Sequence, residues 1–206
     1  MIGILGLQGD FAAHGSALDV LGAENRVVKK PEEFDSVQGL IVPGGESTTL
    51  LKLMESYDYW GALEAFVESG RPVMGTCAGM ILLAREVINP PQASLGFIDI
   101  TVERNSYGRQ RESFEATGRF NPQVDHQANP QNQMAGATTE REDGESVHMV
   151  FIRAPRILHM GADVTALATC GDDVVMARQA NIVVASFHPE LSGDGAVHGY
   201  FAGLVG

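Results

Sequence analysis

Residues Pro72-Val73-Met74-Gly75-Thr76-Cys77-Ala78-Gly79-Met80-Ile81-Leu82-Leu83-Ala84 decide the fold. An apolar run enters this stretch and a run of helical character leaves it. Between them a reactive side chain is flanked by two glycines. A strand that turns sharply into a helix with a nucleophile at the corner is a nucleophile elbow. Gly75 and Gly79 suit the corner, because small residues let strand and helix pack closely and permit unusual backbone angles. Cys77 falls at the start of the expected helix, where unpaired N–H groups and the helix dipole favour a thiolate. The N–H of Ala78 is then a candidate donor to a developing oxyanion. The plain alternative is a core cysteine, and the residues on either side decide between the two.

Upstream, Ile2 to Leu7 is a short apolar run followed by Gln8-Gly9-Asp10. Asp10 can cap a helix whose apolar face holds Phe11, His14, Leu18 and Leu21. Short strands are expected at Val27-Val28 and at Leu40-Ile41-Val42. Pro43-Gly44-Gly45-Glu46-Ser47-Thr48 comes next, with Ser47 or Thr48 as the expected cap of a helix carrying Leu50, Leu51 and Met54. A further helix is expected from about Trp60 to Ser69. Strands alternating with helices of this length argue an α/β fold, a mostly parallel sheet covered by helices on both faces. In such sheets sites form at the carboxyl ends of the strands, and both Gly44-Gly45 and Cys77 occupy that position.

Downstream the pattern changes. Ile98 to Val102, Val147 to Ile152, Val164 to Ala168, Val174 to Ala177 and Ile182 to Ser186 are short β-rich runs with turns between them, so this part is expected to be more antiparallel. A last helix places Val197, Tyr200, Phe201 and Leu204 on one face. The segment 121–146 is polar, without periodicity, and reads as an exposed insertion. The 206 residues, 44% of them hydrophobic, fit one domain over 1–206.

Composition excludes several functions. A net charge of −12 argues against a nucleic-acid partner held through phosphates. No apolar run is long enough to span a membrane, and the N-terminus lacks the basic lead and cleavage pattern of a signal peptide. Two distant cysteines, Cys77 and Cys170, form neither a disulfide framework nor a CxxC pair, which points to a reducing cytoplasm. No metal-ligand spacing is present and no metal or cofactor is expected. Of the 14 basic residues only Lys29, Lys30 and Lys52 are lysines. An acidic surface this poor in lysine suits a high-salt cytoplasm.

A cysteine nucleophile needs a base, and the base needs an orienting group. Six histidines are available. His188 follows the strand ending at Ser186 and so reaches the same rim as Cys77. In Phe187-His188-Pro189-Glu190, the fixed angle of Pro189 lets Glu190 turn back onto the imidazole. His14, His126, His148, His159 and His198 read as structural or surface histidines. Gly44-Gly45 offers backbone N–H groups with no side chain in the way, as a second oxyanion donor beside Ala78.

Pro43-Gly44-Gly45, Gly75-Thr76-Cys77-Ala78-Gly79 and His188-Pro189-Glu190, in that order, resemble the class I glutamine amidotransferases. Gly6-Leu7-Gln8-Gly9, the segment Glu103-Arg104-Asn105-Ser106-Tyr107-Gly108-Arg109-Gln110, and Phe151-Ile152-Arg153-Ala154-Pro155 narrow the resemblance to the glutaminase subunits of pyridoxal 5′-phosphate synthase. It runs from Ile2 to about Val205. It implies a flavodoxin-like three-layer sandwich and hydrolysis of L-glutamine to glutamate and ammonia. The roles it implies are Cys77 as nucleophile, His188 as base, Glu190 as orienting group, and the N–H groups of Gly45 and Ala78 as oxyanion hole. Gly44, Gly45, Glu46, Arg104, Ile152 and Arg153 would bind glutamine, and an Arg fork suits an α-carboxylate. The implied partner is a barrel subunit that consumes the ammonia while building pyridoxal phosphate. The family's segment corresponding to 121–146 is much shorter, and because this one precedes Phe151 it could lie near the pocket or the partner surface. Other readings keep the fold and change the role: a glutaminase serving imidazole glycerol phosphate synthase, a cysteine peptidase or DJ-1-like hydrolase, or a regulatory subunit without activity.

Overall fold

The computed structural model of the protein describes residues 1–104, 106, 113–123 and 144–206. In chain order its first half runs β1 (Ile2–Leu5), α1 (Phe11–Val20), β2 (Asn25–Val28), β3 (Gly39–Val42), α2 (Ser47–Ser56), α3 (Tyr59–Glu68), β4 (Val73–Thr76) and α4 (Ala78–Leu83). The second half runs β5 (Ala84–Ile88), β6 (Ile98–Glu103), β7 (Ser113–Phe120), β8 (Glu145–Ile152), β9 (Arg156–Met160), β10 (Thr165–Cys170), β11 (Asp173–Gln179), β12 (Ile182–Ala185) and α5 (Ala196–Val205). The main sheet has the order β2-β1-β3-β4-β12-β11-β10-β7-β8, and β5-β6-β9 form a smaller sheet. From β2 to β12 every pairing is parallel, and from β12 to β8 every pairing is antiparallel.

Alternation along the central strands sorts their side chains onto two faces. Leu40 and Val42 of β3, Val73 of β4 and Val184 of β12 face one core, with Leu50, Met54, Leu63, Phe66 and Leu82 from α2, α3 and α4. Ile41, Met74 and Val183 face the other, with Leu18 of α1 and Val197 and Phe201 of α5. The result is the three-layer arrangement with a mostly parallel centre and an antiparallel extension. The small sheet adds Val87, Ile98, Ile100, Val102 and Ile157 to the first core.

Local signals explain most boundaries. Asp10 caps α1, accepting from Ala13 N at 3.1 Å. The expected apolar face of α1 is only partly buried: His14 and Leu18 are, but Leu21 lies past the last turn and is exposed. The cap of α2 is Glu46, one residue before the expected Ser47 or Thr48. Its carboxylate accepts from Thr48 N at 3.1 Å and Thr49 N at 2.7 Å. The helix after Cys77 is also shorter than its apolar run. Leu83 ends it, and Ala84 turns into β5.

The polar segment 121–146 is described only at its ends, since 124–143 lie outside the described residues. Glu145 and Ser146 belong to β8 instead of a loop and pair with Phe120 and Arg119. The segment therefore leaves the β7–β8 hairpin at the end opposite Ile152, which pairs with Ser113.

Candidate active site

Adjacent parallel strands deliver the chemistry. Val42 of β3 is in register with Gly75 of β4, and Thr76 of β4 with Ala185 of β12. Their carboxyl ends lead into Gly44-Gly45, Cys77 and His188. Cys77 donates its N–H to Ala185 O at 2.8 Å and holds φ +48°, ψ −102°. A non-glycine residue there is strained, and strain at a strand-to-helix corner is what a nucleophile elbow imposes. Gly79 is required by close approach, since a Cβ on it would sit 2.1 Å from Val42 O. Ala78 opens α4 and is fully buried.

Pro189 starts a single 3-10 turn that ends at Leu191. The turn folds Glu190 back, and Nδ1 of His188 lies 2.7 Å from Oε1 of Glu190. His188 N–H donates to Val150 O at 2.8 Å, which ties the base to β8. Burial opposes a charge on His188, but hydrogen bonds with Cys77 and Glu190 and their negative charges outweigh it, raising His188 to about 10. Burial likewise opposes the charge of Glu190. The His188 hydrogen bond, with the charges of His14 and His188, more than offsets it and holds Glu190 below the usual carboxylate range. The thiol of Cys77 is directed at Ile152 O, 3.9 Å away.

The Gly44-Gly45 loop closes over this pair. A Cβ on Gly44 would lie 2.6 Å from Cε1 of His188 and 3.2 Å from Cβ of Cys77. Gly45 has φ +136°, a value side chains rarely tolerate, and a Cβ there would meet the amide of Gln8 at 2.8 Å. Gln8 Nε2 donates to Glu46 O at 2.9 Å, so the turn after β1 latches the loop after β3.

A cavity of about 190 Å³ opens above the sulfur, lined by Gly45, Glu46, Ser47, Cys77, Ile81, Arg104, Ile152, Arg153 and His188. Of the residues expected around a substrate, Gly45, Glu46, Arg104, Ile152 and Arg153 all line it. Gly44 instead backs His188. Nη2 of Arg104 stands 3.9 Å from Oε1 of Glu46. Glu46 is held ionised, at about 2, first by the hydroxyls of Thr48 and Thr49 and then by their N–H groups. Arg153 takes a left-handed φ of +45° at the end of β8. Sequence reasoning missed Ser47 and Ile81, which share the cavity wall, and Gln8. Gln8 carries a readable signal, because it follows a strand end on the same rim.

Known proteins resemble this chain over nearly its whole length. The model of the SNO glutamine amidotransferase family matches residues 4–205. The chain is 46% identical to the pyridoxal 5′-phosphate synthase subunit PdxT of Thermosipho africanus, covering 99% of this chain and 98% of that protein. It is 44% identical to the same subunit of Bacillus cereus, covering 99% and 94%. A crystal structure of a glutamine amidotransferase, 41% identical, superposes with a TM-score of 0.83 over 99% of this chain and 98% of the other. No helix among the described residues is long and apolar enough to cross a membrane. The family match over nearly the whole length, on a fold that brings Cys77, His188 and Glu190 together, means that the chain belongs to the SNO glutamine amidotransferase family.

Proposed function

We propose that the protein hydrolyses L-glutamine through a thioester on Cys77 and hands the ammonia to a separate synthase subunit that builds pyridoxal 5′-phosphate. The observation that carries this is the meeting of Cys77 and His188, with Glu190 behind the imidazole, in the wall of the cavity that Arg104 and Arg153 also line. His188, raised to about 10, holds a proton at neutral pH, so the sulfur is paired with an imidazolium. The sulfur attacks the side-chain amide carbon of glutamine. Charge develops on the amide oxygen, and the N–H groups of Gly45 and Ala78 accept it as hydrogen-bond donors. His188 gives its proton to the leaving ammonia. It then takes one from water, which cleaves the thioester and releases glutamate.

Arg104 suits the α-carboxylate of glutamine, since a guanidinium pairs with it through two parallel hydrogen bonds. The carboxylate of Glu46 is occupied by the start of α2, so its part in binding falls to its main chain, as does that of Ile152. Arg153 completes the wall. The acidic, lysine-poor composition further suits a cytoplasm rich in salt. Stability that rises from dilute buffer to molar salt supports that reading, and a flat response removes it.

The test of function is glutamate release from glutamine, by the chain alone and with the synthase subunit. Turnover that depends on Cys77 and rises with the partner supports the reading. Turnover of a peptide but not of glutamine replaces it with a cysteine peptidase.

A further inference from the structure

Behind Glu190 lies a pair of side chains that the chemistry above does not use. His14, in the second turn of α1, and His198, in the first turn of α5, are both fully buried. Nδ1 of His14 is 2.9 Å from Nε2 of His198. On its other side, Nε2 of His14 faces Oε2 of Glu190 at 3.3 Å and Oγ1 of Thr76 at 3.4 Å. Oε2 of Glu190 is buried and makes no well-aligned hydrogen bond among the described residues. A buried carboxylate oxygen with nothing facing it is costly, so the group that does face it matters.

The proton positions follow. Burial, the largest influence on each, lowers both imidazoles, His198 to about 4, so both are neutral near pH 7. A neutral imidazole donates through one nitrogen and accepts through the other. Ionised Glu190 takes only donors, which puts the proton of His14 on Nε2. Nδ1 of His14 then accepts, which puts the proton of His198 on its Nε2. The remaining nitrogen, Nδ1 of His198, is left as a bare lone pair, and it is a buried atom without a hydrogen-bond partner among the described residues. The charged and titratable groups facing His14 are Glu190 and His188 from the turn after β12, Asp10 from the cap of α1, and His198 from α5.

We infer that His14 is a positioning residue for the base: with Nδ1 engaged by His198 and Nε2–H turned to the carboxylate, it holds Oε2 of Glu190 so that Oε1 stays on Nδ1 of His188. Loss of that hold turns or protonates Glu190, the imidazolium weakens, and Cys77 loses its partner charge. The effect on turnover rests on the glutaminase reading. The effect on the sulfur does not.

The experiment follows alkylation of Cys77 by iodoacetamide, read on the Cys77 peptide so that Cys170 does not interfere, from about pH 5 to about pH 9. Wild type is compared with His14→Phe, His14→Gln and His198→Phe. His14→Phe slows alkylation about tenfold near neutral pH and moves its acid limb up by about one pH unit. His14→Gln, whose amide nitrogen takes the place of Nε2–H, returns the rate to within about threefold of wild type. His198→Phe moves the limb in the same direction, by less. Glutamate release in the complex falls in kcat with KM nearly unchanged. An acid limb in the same place for His14→Phe and wild type overturns the inference, as does His14→Gln as slow as His14→Phe. If His14→Phe does not fold, His198→Phe decides by the same criterion. Wild type that releases no glutamate refutes the glutaminase reading and leaves the alkylation comparison intact.

Discussion

Nδ1 of His188 lies 2.7 Å from Oε1 of Glu190, across a single proline in a 3-10 turn. Base and orienting group are thus held by local chain geometry, whereas base and nucleophile meet through the sheet. Glu190→Gln keeps the shape and removes the charge. It is expected to lower kcat by about a hundredfold or more, because the imidazolium loses its counter-charge and His188 can settle in the wrong tautomer. Steady-state glutamate release in the complex measures this, and KM should move little.

Stability should peak near pH 6.5. The folded value of His188 is raised, from 6.5 to about 10, so its contribution is complete below 6.5 and is lost as pH rises toward 10. The folded value of His198 is lowered, from 6.5 to about 4, so its contribution is complete above 6.5 and is lost as pH falls toward 4. Each of these two groups contributes a slope of at most about 1.4 kcal/mol per pH unit. Denaturant titrations across this range check it. His188→Gln should flatten the alkaline limb; His14 is lowered by burial as well, so His198→Gln should only reduce the slope of the acid one. A maximum that stays put and limbs that keep their slopes in both variants contradict the assignment.

Two glycine substitutions should fail differently. A methyl at Gly44 points at Cε1 of His188, a movable ring, so Gly44→Ala is expected to cut turnover at least tenfold at a stability cost of about 1 kcal/mol. A methyl at Gly79 points at Val42 O, which is backbone, so Gly79→Ala should cost about 2–3 kcal/mol. Thermal unfolding beside activity separates the two outcomes.

Glu46→Ala removes the cap of α2 and is expected to cost about 1 kcal/mol. The cap contribution is present above about pH 4.5 and lost as pH falls toward 2, so the variant and wild type should converge in acid. Glu46→Asp should recover most of it, because Asp is itself a preferred cap, as Asp10 is for α1.

Arg104→Ala should raise KM for glutamine by about ten- to a hundredfold, the loss of a charge-assisted pair, with kcat less affected. Arg104→Lys should restore only part, since an ammonium lacks the fork. Unchanged KM in both variants assigns the α-carboxylate to another group.

The rim was readable because each of its pieces ends a strand and carries its own punctuation. Pro43-Gly44-Gly45, Gly75 to Gly79 and His188-Pro189-Glu190 all announce a turn after an apolar run. Choices between similar local options were harder. Glu46 takes the cap expected of Ser47 or Thr48, because its longer side chain reaches two N–H groups at once. Ala84 leaves the helix although it continues an apolar run. Strands Ser113–Phe120 and Arg156–Met160 escaped because each is stabilised by distant partners, β8 for one and β6 for the other. The stacking of His14 behind Glu190 had no sequence signal at all. It exists only once α1 and the turn after β12 pack together.

Because β4 and β12 lie side by side, the gap between sulfur and imidazole is inherited from the lattice of the sheet, whose neighbouring parallel strands stand about 4.8 Å apart. Whatever chain is threaded between those two strands can grow, shrink or change its company without widening that gap. A molecule built this way can drift far at its outer edge while its reaction stands still.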